Sequence, residues 1–182
     1  MPNYCENVLK LKHEDKDVLL KVIQAYNRGD LLQTFIPEPD YEKTKVENLY
    51  PEFHNGEKYA TKSQWWDWRI KNWGTKWEIV QPYTAEDVEK DELYISFSTA
   101  WTPPIPLYDK LTELGFEIDA SYFEIGCGFC GQYYDGYDET YYFEDYSKAW
   151  IEDNIPMEII DNHDLLAIAD WEDEEEEEEE NV

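Results

Sequence analysis

Four of the eight tryptophans in this chain fall between residues 65 and 73, and Trp77 follows directly. The stretch Trp65-Trp66-Asp67-Trp68 runs into Asn72-Trp73-Gly74-Thr75-Lys76-Trp77 and then into Glu78-Ile79-Val80. Tryptophan combines a large apolar surface with one N–H that needs a partner when buried. So much of it in one place is either core or recognition surface. Residues 65, 68, 69 and 72 recur at helical spacing, which predicts a helix with one packed face and leaves Trp66 on the other, partly exposed. Gly74 takes a left-handed backbone without steric cost, so it is placed to close that helix and turn the chain into a strand over 77–83.

The rest of the chain sorts by periodicity. Val8-Leu9-Lys10-Leu11-Lys12 alternates as a strand with one wet face. Glu14-Asp15 opens a helix on which Val18, Leu19, Val22, Ile23 and Tyr26 share a face, and Gly29 stands at its stop. Residues 31–39 read as an extended connection because Pro37 and Pro39 forbid helix there. Residues 40–60 are polar and irregular, the expected surface excursion, and Thr61 is a candidate cap for the tryptophan helix. Leu93 to Ser98 is the strongest strand and continues to Trp101. Thr102-Pro103-Pro104 is read as the cap and start of a helix through Leu107, Leu111 and Leu114, ended at Gly115. Phe116 to Ile125 alternates as another strand, Gly126 and Gly128 interrupt it, and Phe129 to Tyr134 resumes. Asp135-Gly136 predicts a hairpin into Thr140-Tyr141-Tyr142-Phe143. Apolar residues from Trp150 to Ile168 suggest one or two short helices.

This order, strand–helix–strand–strand–helix–strand, is the split βαβ plan of an α+β ferredoxin-like sandwich: an antiparallel four-stranded sheet with helices on one face. A helical insertion at about 40–73 precedes the second strand, the hairpin extends the sheet, and the C-terminal helices pack against it. Residues 1–170 then form a single domain, and 171–182 an acidic tail expected to be disordered.

Charge narrows the function. The chain holds 43 acidic residues against 15 basic, a net charge of −28. Residues 171–182 contribute nine acids and no base, and 34 against 15 leaves −19 on the remainder. Such a field repels phosphates and anionic lipid and attracts basic surfaces, so direct duplex binding is disfavoured. No segment has the roughly 18–20 apolar residues of a membrane helix. The N-terminus lacks a signal-peptide layout, and three cysteines form no even framework, so a cytoplasmic protein with reduced thiols is expected.

Four segments in order resemble one family: Met1-Pro-Asn-Tyr-Cys-Glu-Asn-Val-Leu9, Asn72 to Trp77, Ser98 to Pro104, and Tyr122 to Gly131. Over roughly residues 1–135 the chain is similar to the ferredoxin-like family named for the phage Api92-like proteins and the plasmid YubB proteins. It departs in Tyr4, where a tryptophan is expected, and in the acidic tail. The resemblance implies the fold and an origin on a phage, plasmid or bacterial genome. It brings no catalytic residues.

Three candidate sites emerge. Cys127-Gly-Phe-Cys130 lacks the second ligand pair that a structural zinc site needs, and it sits in a strand pattern rather than at a helix N-terminus, so neither metal nor redox use is expected and no cofactor is assigned. Glu124, beside a glycine-rich bend, either forms a pocket for a flat polar ligand with Trp66, Arg69, Asn72, Trp73, Lys76 and Trp77, or fixes the junction as a buried ion pair. The acidic surface either solubilises the chain or binds a basic host protein. The leading expectation is a non-enzymatic acidic protein that binds such a partner, one form of which is a DNA-mimic-like inhibitor of a host defence or nucleic-acid-handling protein. The alternative is a nucleotide- or small-molecule-binding protein, or an enzyme, with its pocket at Asn72–Trp77 and Glu124. The oligomeric state is not set by any of this.

Overall fold

The computed structural model describes residues 3–40, 53–54, 57–58, 64–82, 85 and 91–169. The excursion at 40–60, apart from Asp40 and the pairs 53–54 and 57–58, lies outside the described residues, as do the Thr61 cap and the tail at 171–182.

Strand β1 (Tyr4–Lys12) is an interior strand of the sheet. It pairs antiparallel with β4 (Glu92–Ala100) on one side and β5 (Glu117–Glu124) on the other. Hairpin partners β6 (Phe129–Tyr134) and β7 (Tyr137–Tyr142) extend the sheet beyond β5, giving the order β4-β1-β5-β6-β7. A separate ribbon of β2 (Phe53–His54) and β3 (Glu57–Lys58) lies in the insertion. The β6–β7 turn has Asp135 at φ 44° and Gly136 at φ 92°. Two successive left-handed residues are what a two-residue hairpin of the strand-matching twist requires.

The plan is the expected ferredoxin-like one, with its second strand reduced to a single pair. Val80 exchanges both backbone bonds with Ser98, at 2.9 and 2.8 Å, on the outer edge of β4. The predicted strand over 77–83 does not develop around it. Glu78 turns its carboxylate back onto the backbone, accepting from its own neighbour Ile79 N at 3.1 Å, and Pro82 has no N–H to give.

Helices α1 (Lys16–Arg28) and α4 (Ile105–Glu113) cover one face of the sheet. The α1 ends are built locally: Asp15 accepts from Asp17 N at its start, and Gly29 at φ 72° closes it. The main core lies under this layer, where Leu9, Leu11, Leu19, Val22, Ile95, Leu107 and Leu111 are all buried. Trp73, at the end of α3 (Gln64–Trp73), joins it.

Two further expectations need correction. Residues 31–39 are not simply extended, because Leu31–Phe35 form a short helix, α2. Its first free N–H groups, on Leu32 and Gln33, are taken by the carboxylate of Glu78 at 2.8 and 2.9 Å, so a residue 46 positions away supplies the cap. Thr102 is not the cap of α4 either. Its hydroxyl donates to the Gly74 carbonyl, and Pro104 occupies the cap position with no side-chain bond.

The opposite face carries the C-terminal helices. There α5 (Lys148–Asn154) and α6 (Met157–His163) pack over β5 and β6, and Phe123, Cys130, Ile151, Ile159 and Ile160 form a second core.

Candidate functional site

The stretch Asn72–Trp77 is tied into the fold chiefly through Trp73, Gly74 and Thr75. Trp73 is 1% exposed, and its Nε1 donates to the Ile36 carbonyl at 2.8 Å. Gly74 has φ 76°, and a Cβ there would stand 3.0 Å from both the Pro103 carbonyl and Pro106 Cδ, so glycine is required on two grounds. Buried Thr75 accepts from Ala100 N at 2.9 Å through the hydroxyl it donates to Ala100 O at 3.1 Å. Asn72 caps back onto the Trp68 carbonyl at 2.8 Å. Thus 72–77 interlocks with the end of β4 at Ala100 and with the loop 101–104 that joins it to α4.

Arg69 is held by Glu38 through a two-pronged pair, Nε–Oε1 at 2.9 Å and Nη2–Oε2 at 2.6 Å. Its guanidinium lies 4.6 Å from the Trp73 ring centroid and 5.1 Å from that of Trp65. It also donates to the Lys76 carbonyl at 3.4 Å. The Lys76 ammonium sits over Trp77 at 5.2 Å. Trp66 is 44% exposed on the outer face of α3.

Glu124 serves a different junction. It is 1% exposed, and its two oxygens accept from Gly126 N at 2.8 Å and Cys127 N at 2.6 Å, which fixes the turn between β5 and β6. Asn3 covers this turn so closely that a Cβ on Gly126 would meet its Nδ2 at 2.1 Å. The structure therefore brings Arg69, Trp73, Lys76 and Trp77 together on one side and sets Glu124 among Asn3, Cys5 and Cys127 on another. The bonds of Glu124 go to backbone N–H groups of its own turn.

The cysteines follow from the same packing. Cys130 is buried in the second core, and burial pushes its thiol up to about 12. Burial first, and the charge of Glu124 second, raise Cys5. Cys127 is exposed, yet its thiol is raised because it donates to the Glu124 carboxylate. None of the three is an activated thiolate. Among the described residues no group of three or more His, Cys, Asp or Glu side chains converges as a metal site, and no helix is long and apolar enough to cross a membrane.

Two polar clusters have no signal in the sequence, because their members are far apart along the chain. Ser121 Oγ lies 3.1 Å from His163 Nε2, with Asn162 Nδ2 donating to the same hydroxyl at 3.0 Å. This is the distance of a nucleophile and its base. Both residues are buried between β5 and α6, however, and burial lowers the His163 imidazole to about 4, so it is a neutral hydrogen-bonding core residue. On the other face, Tyr122 donates to Asp138 Oδ1 at 2.7 Å and lies 2.8 Å from Thr140 Oγ1. Its ring crosses β6 over Gly131, where a Cβ would come within 2.3 Å of the phenol oxygen. Burial raises the Asp138 carboxyl, and the Tyr122 hydroxyl partly offsets this.

The acidity is unevenly placed. From residue 111 onward the chain has 24 acids and a single base, Lys148, whereas residues 1–110 have 19 acids and 14 bases. These halves carry −23 and −5. Asp135, Asp138 and Glu139 on the β6–β7 hairpin, Glu152 and Asp153 on α5, and Glu158 and Asp161 on α6 are all exposed.

A protein-family profile described as the ferredoxin-like domain in Api92-like protein matches residues 72–182. The match begins at Asn72 and includes β4, α4, the β5–β7 segment and both C-terminal helices. No curated protein sequence and no solved structure matches the chain.

Proposed function

The chain belongs to the family of ferredoxin-like domains found in Api92-like proteins, and on that footing we propose that it is a non-enzymatic acidic binding module whose partner is a basic protein surface. The carrying observation is the concentration of charge: −23 of the total −28 lies beyond residue 110. Among the described residues, exposed members of that set stand on the β6–β7 hairpin (Asp135, Asp138, Glu139), on α5 (Glu152, Asp153) and on α6 (Glu158, Asp161). A surface of one sign steers an oppositely charged partner and sets the orientation of docking. In the finer form of this proposal the protein comes from a phage or plasmid, acts in the cytoplasm of a bacterial host, and occupies the nucleic-acid groove of a host defence or nucleic-acid-handling protein.

The contrasting reading, a flat polar ligand held between Asn72–Trp77 and Glu124, draws less support from the geometry. Such a ligand would have to displace the Arg69–Glu38 pair or the turn bonds of Glu124, each already satisfied in the fold. The discriminating experiment is affinity capture from bacterial lysate at low salt, followed by binding measurements on the captured partner across a salt series. The expected result is a steep fall in affinity with salt and loss of capture when the exposed acids of α5 and α6 are replaced by their amides. A partner held equally well at high salt, and by the amide variant, would overturn the proposal.

A further inference from the structure

We infer that the cleft between the start of α4 and the β5–β7 face is an anchor pocket for one arginine side chain of a basic partner. This rests on the acidic-module reading for the partner's chemistry and on the cleft itself for the site. The cavity is about 260 Å³, below the ~300–1,000 Å³ of pockets that take a drug-sized ligand. That volume suits a single side chain. Pro103 and Ile105 form one wall, Phe129 and Tyr142 line the other, and Asp138 and Thr140 supply acceptors.

The chemistry selects a cation. None of the residues lining the cleft is Lys or Arg, and one is a carboxylate. Asp138 Oδ1 is taken by the Tyr122 hydroxyl, and no bond among the described residues takes Oδ2. The Phe129 and Tyr142 rings stand 6.3 Å apart and tilted by 57°, and Phe129 also meets Tyr122 edge-on at 6.2 Å. A planar guanidinium can lie against these rings while donating sideways to Oδ2 and Thr140, which a strongly hydrated lysine ammonium does less well.

The pocket is also preorganised and open. Tyr122 is 1% exposed and fixed at its hydroxyl, whereas Tyr142 is 68% exposed and within a partner's reach. Gly131 makes room for the Tyr122 ring to cross the sheet, and Thr102, bonded to the Gly74 carbonyl, holds the opposite rim. The tryptophan junction thus supports this site from behind. An already rigid site avoids the ordering cost that binding otherwise incurs.

The test uses the full chain and three blocked pentapeptides, Gly-Gly-X-Gly-Gly, with arginine, lysine or citrulline at X, followed by backbone amide resonances. Citrulline keeps the shape of arginine and removes its charge. The arginine peptide should shift the amides of Phe129, Thr140 and Tyr142 saturably and bind at least about tenfold tighter than the citrulline peptide. Asp138→Asn should erase that preference, and Tyr142→Ala should weaken arginine binding. Tyr142 is exposed, and the amide oxygen of the Asp138→Asn variant still accepts from Tyr122, so both variants keep the fold. Equal binding of arginine and citrulline, or shifts confined to α5 and α6, would overturn the pocket. A hexalysine peptide separates the two readings. Salt-sensitive hexalysine binding unchanged by Asp138→Asn, with no arginine shifts in the cleft, removes the pocket and leaves the acidic module. Arginine docking in the cleft, without salt-sensitive hexalysine binding, upholds the pocket and removes the module.

Discussion

The tryptophan junction around residues 65–77 and the open sheet face around β6 and β7 are both rich in aromatic side chains, yet they put them to opposite use. At the junction the Trp73 N–H finds a carbonyl inside the molecule, the neighbouring Arg69 finds Glu38, and Gly74 lets two backbones meet at contact distance. On the open face Tyr142 is 68% exposed beside Phe129 and Tyr122, whereas Tyr134 and Tyr137, 61% and 82% exposed, stand on the reverse face of the same hairpin. The difference comes from the layers. Helices α1 and α4 cover β4, β1 and β5, and α5 and α6 cover the reverse of β5 and β6. Among the described residues no helix lies over the Asp138–Thr140–Tyr142 side of β7. An aromatic cluster therefore marks a binding surface only where no second layer closes on it and its polar groups keep valences to offer.

The harshest way to break this contrast is to separate the two regions from the strand they share. A fragment of residues 72–182, the span the family profile matches, lacks β1, which lies between β4 and β5 with partners on both edges. It should fail to fold, giving neither a cooperative melt nor dispersed amide resonances. A well-dispersed spectrum would show that β4 and β5 can pair without β1.

Trp73→Ala comes next. It removes a fully buried indole together with its bond to Ile36, and should cost about 3–5 kcal/mol in denaturant unfolding, as large-to-small core changes do. A loss under about 1 kcal/mol would mean that the junction is a surface after all.

The C-terminal layer can be probed by pH. His163 is lowered from 6.5 to about 4 by burial, so between those values the unfolded chain binds a proton that the folded one refuses. Its contribution is fully present above pH 6.5 and is lost as pH falls toward 4, roughly 3 kcal/mol at about 1.4 kcal/mol per unit. Imidazole proton shifts should stay flat until pH approaches 4. A midpoint near 6.5 would show α6 standing off the sheet.

Glu124→Gln replaces a two-oxygen acceptor with an amide that can satisfy only one of the Gly126 and Cys127 N–H groups. Stability should drop by about 1–2 kcal/mol, with binding to a basic peptide unchanged. Loss of binding at full stability would restore Glu124 as a recognition residue. The smallest effect belongs to Trp66→Ala, which should stay within about 0.5 kcal/mol of wild type in both stability and peptide binding.

What the sequence determined by itself was local. Alternation at Val8–Lys12 and Leu93–Ser98, the Asp15 cap, Gly29, and the Asp135-Gly136 turn all act within a few residues, and each stands where its pattern pointed. The element order then followed, and with it the ferredoxin-like plan. Tertiary structure decided everything that needed a distant partner. Glu78 caps α2 across 46 positions and in doing so shortens its own strand to Val80. Thr102 bonds to Gly74 rather than to its own helix. Tyr122, Asp138 and Thr140 meet only because the β5–β6–β7 register and the missing side chain of Gly131 align them. Arg69 and Glu124, joined in one pocket by sequence reasoning, hold separate junctions. The physical reason is the same throughout. Backbone preference is fixed by neighbours in the chain, but a polar side chain takes the nearest unsatisfied group, and folding decides which group that is.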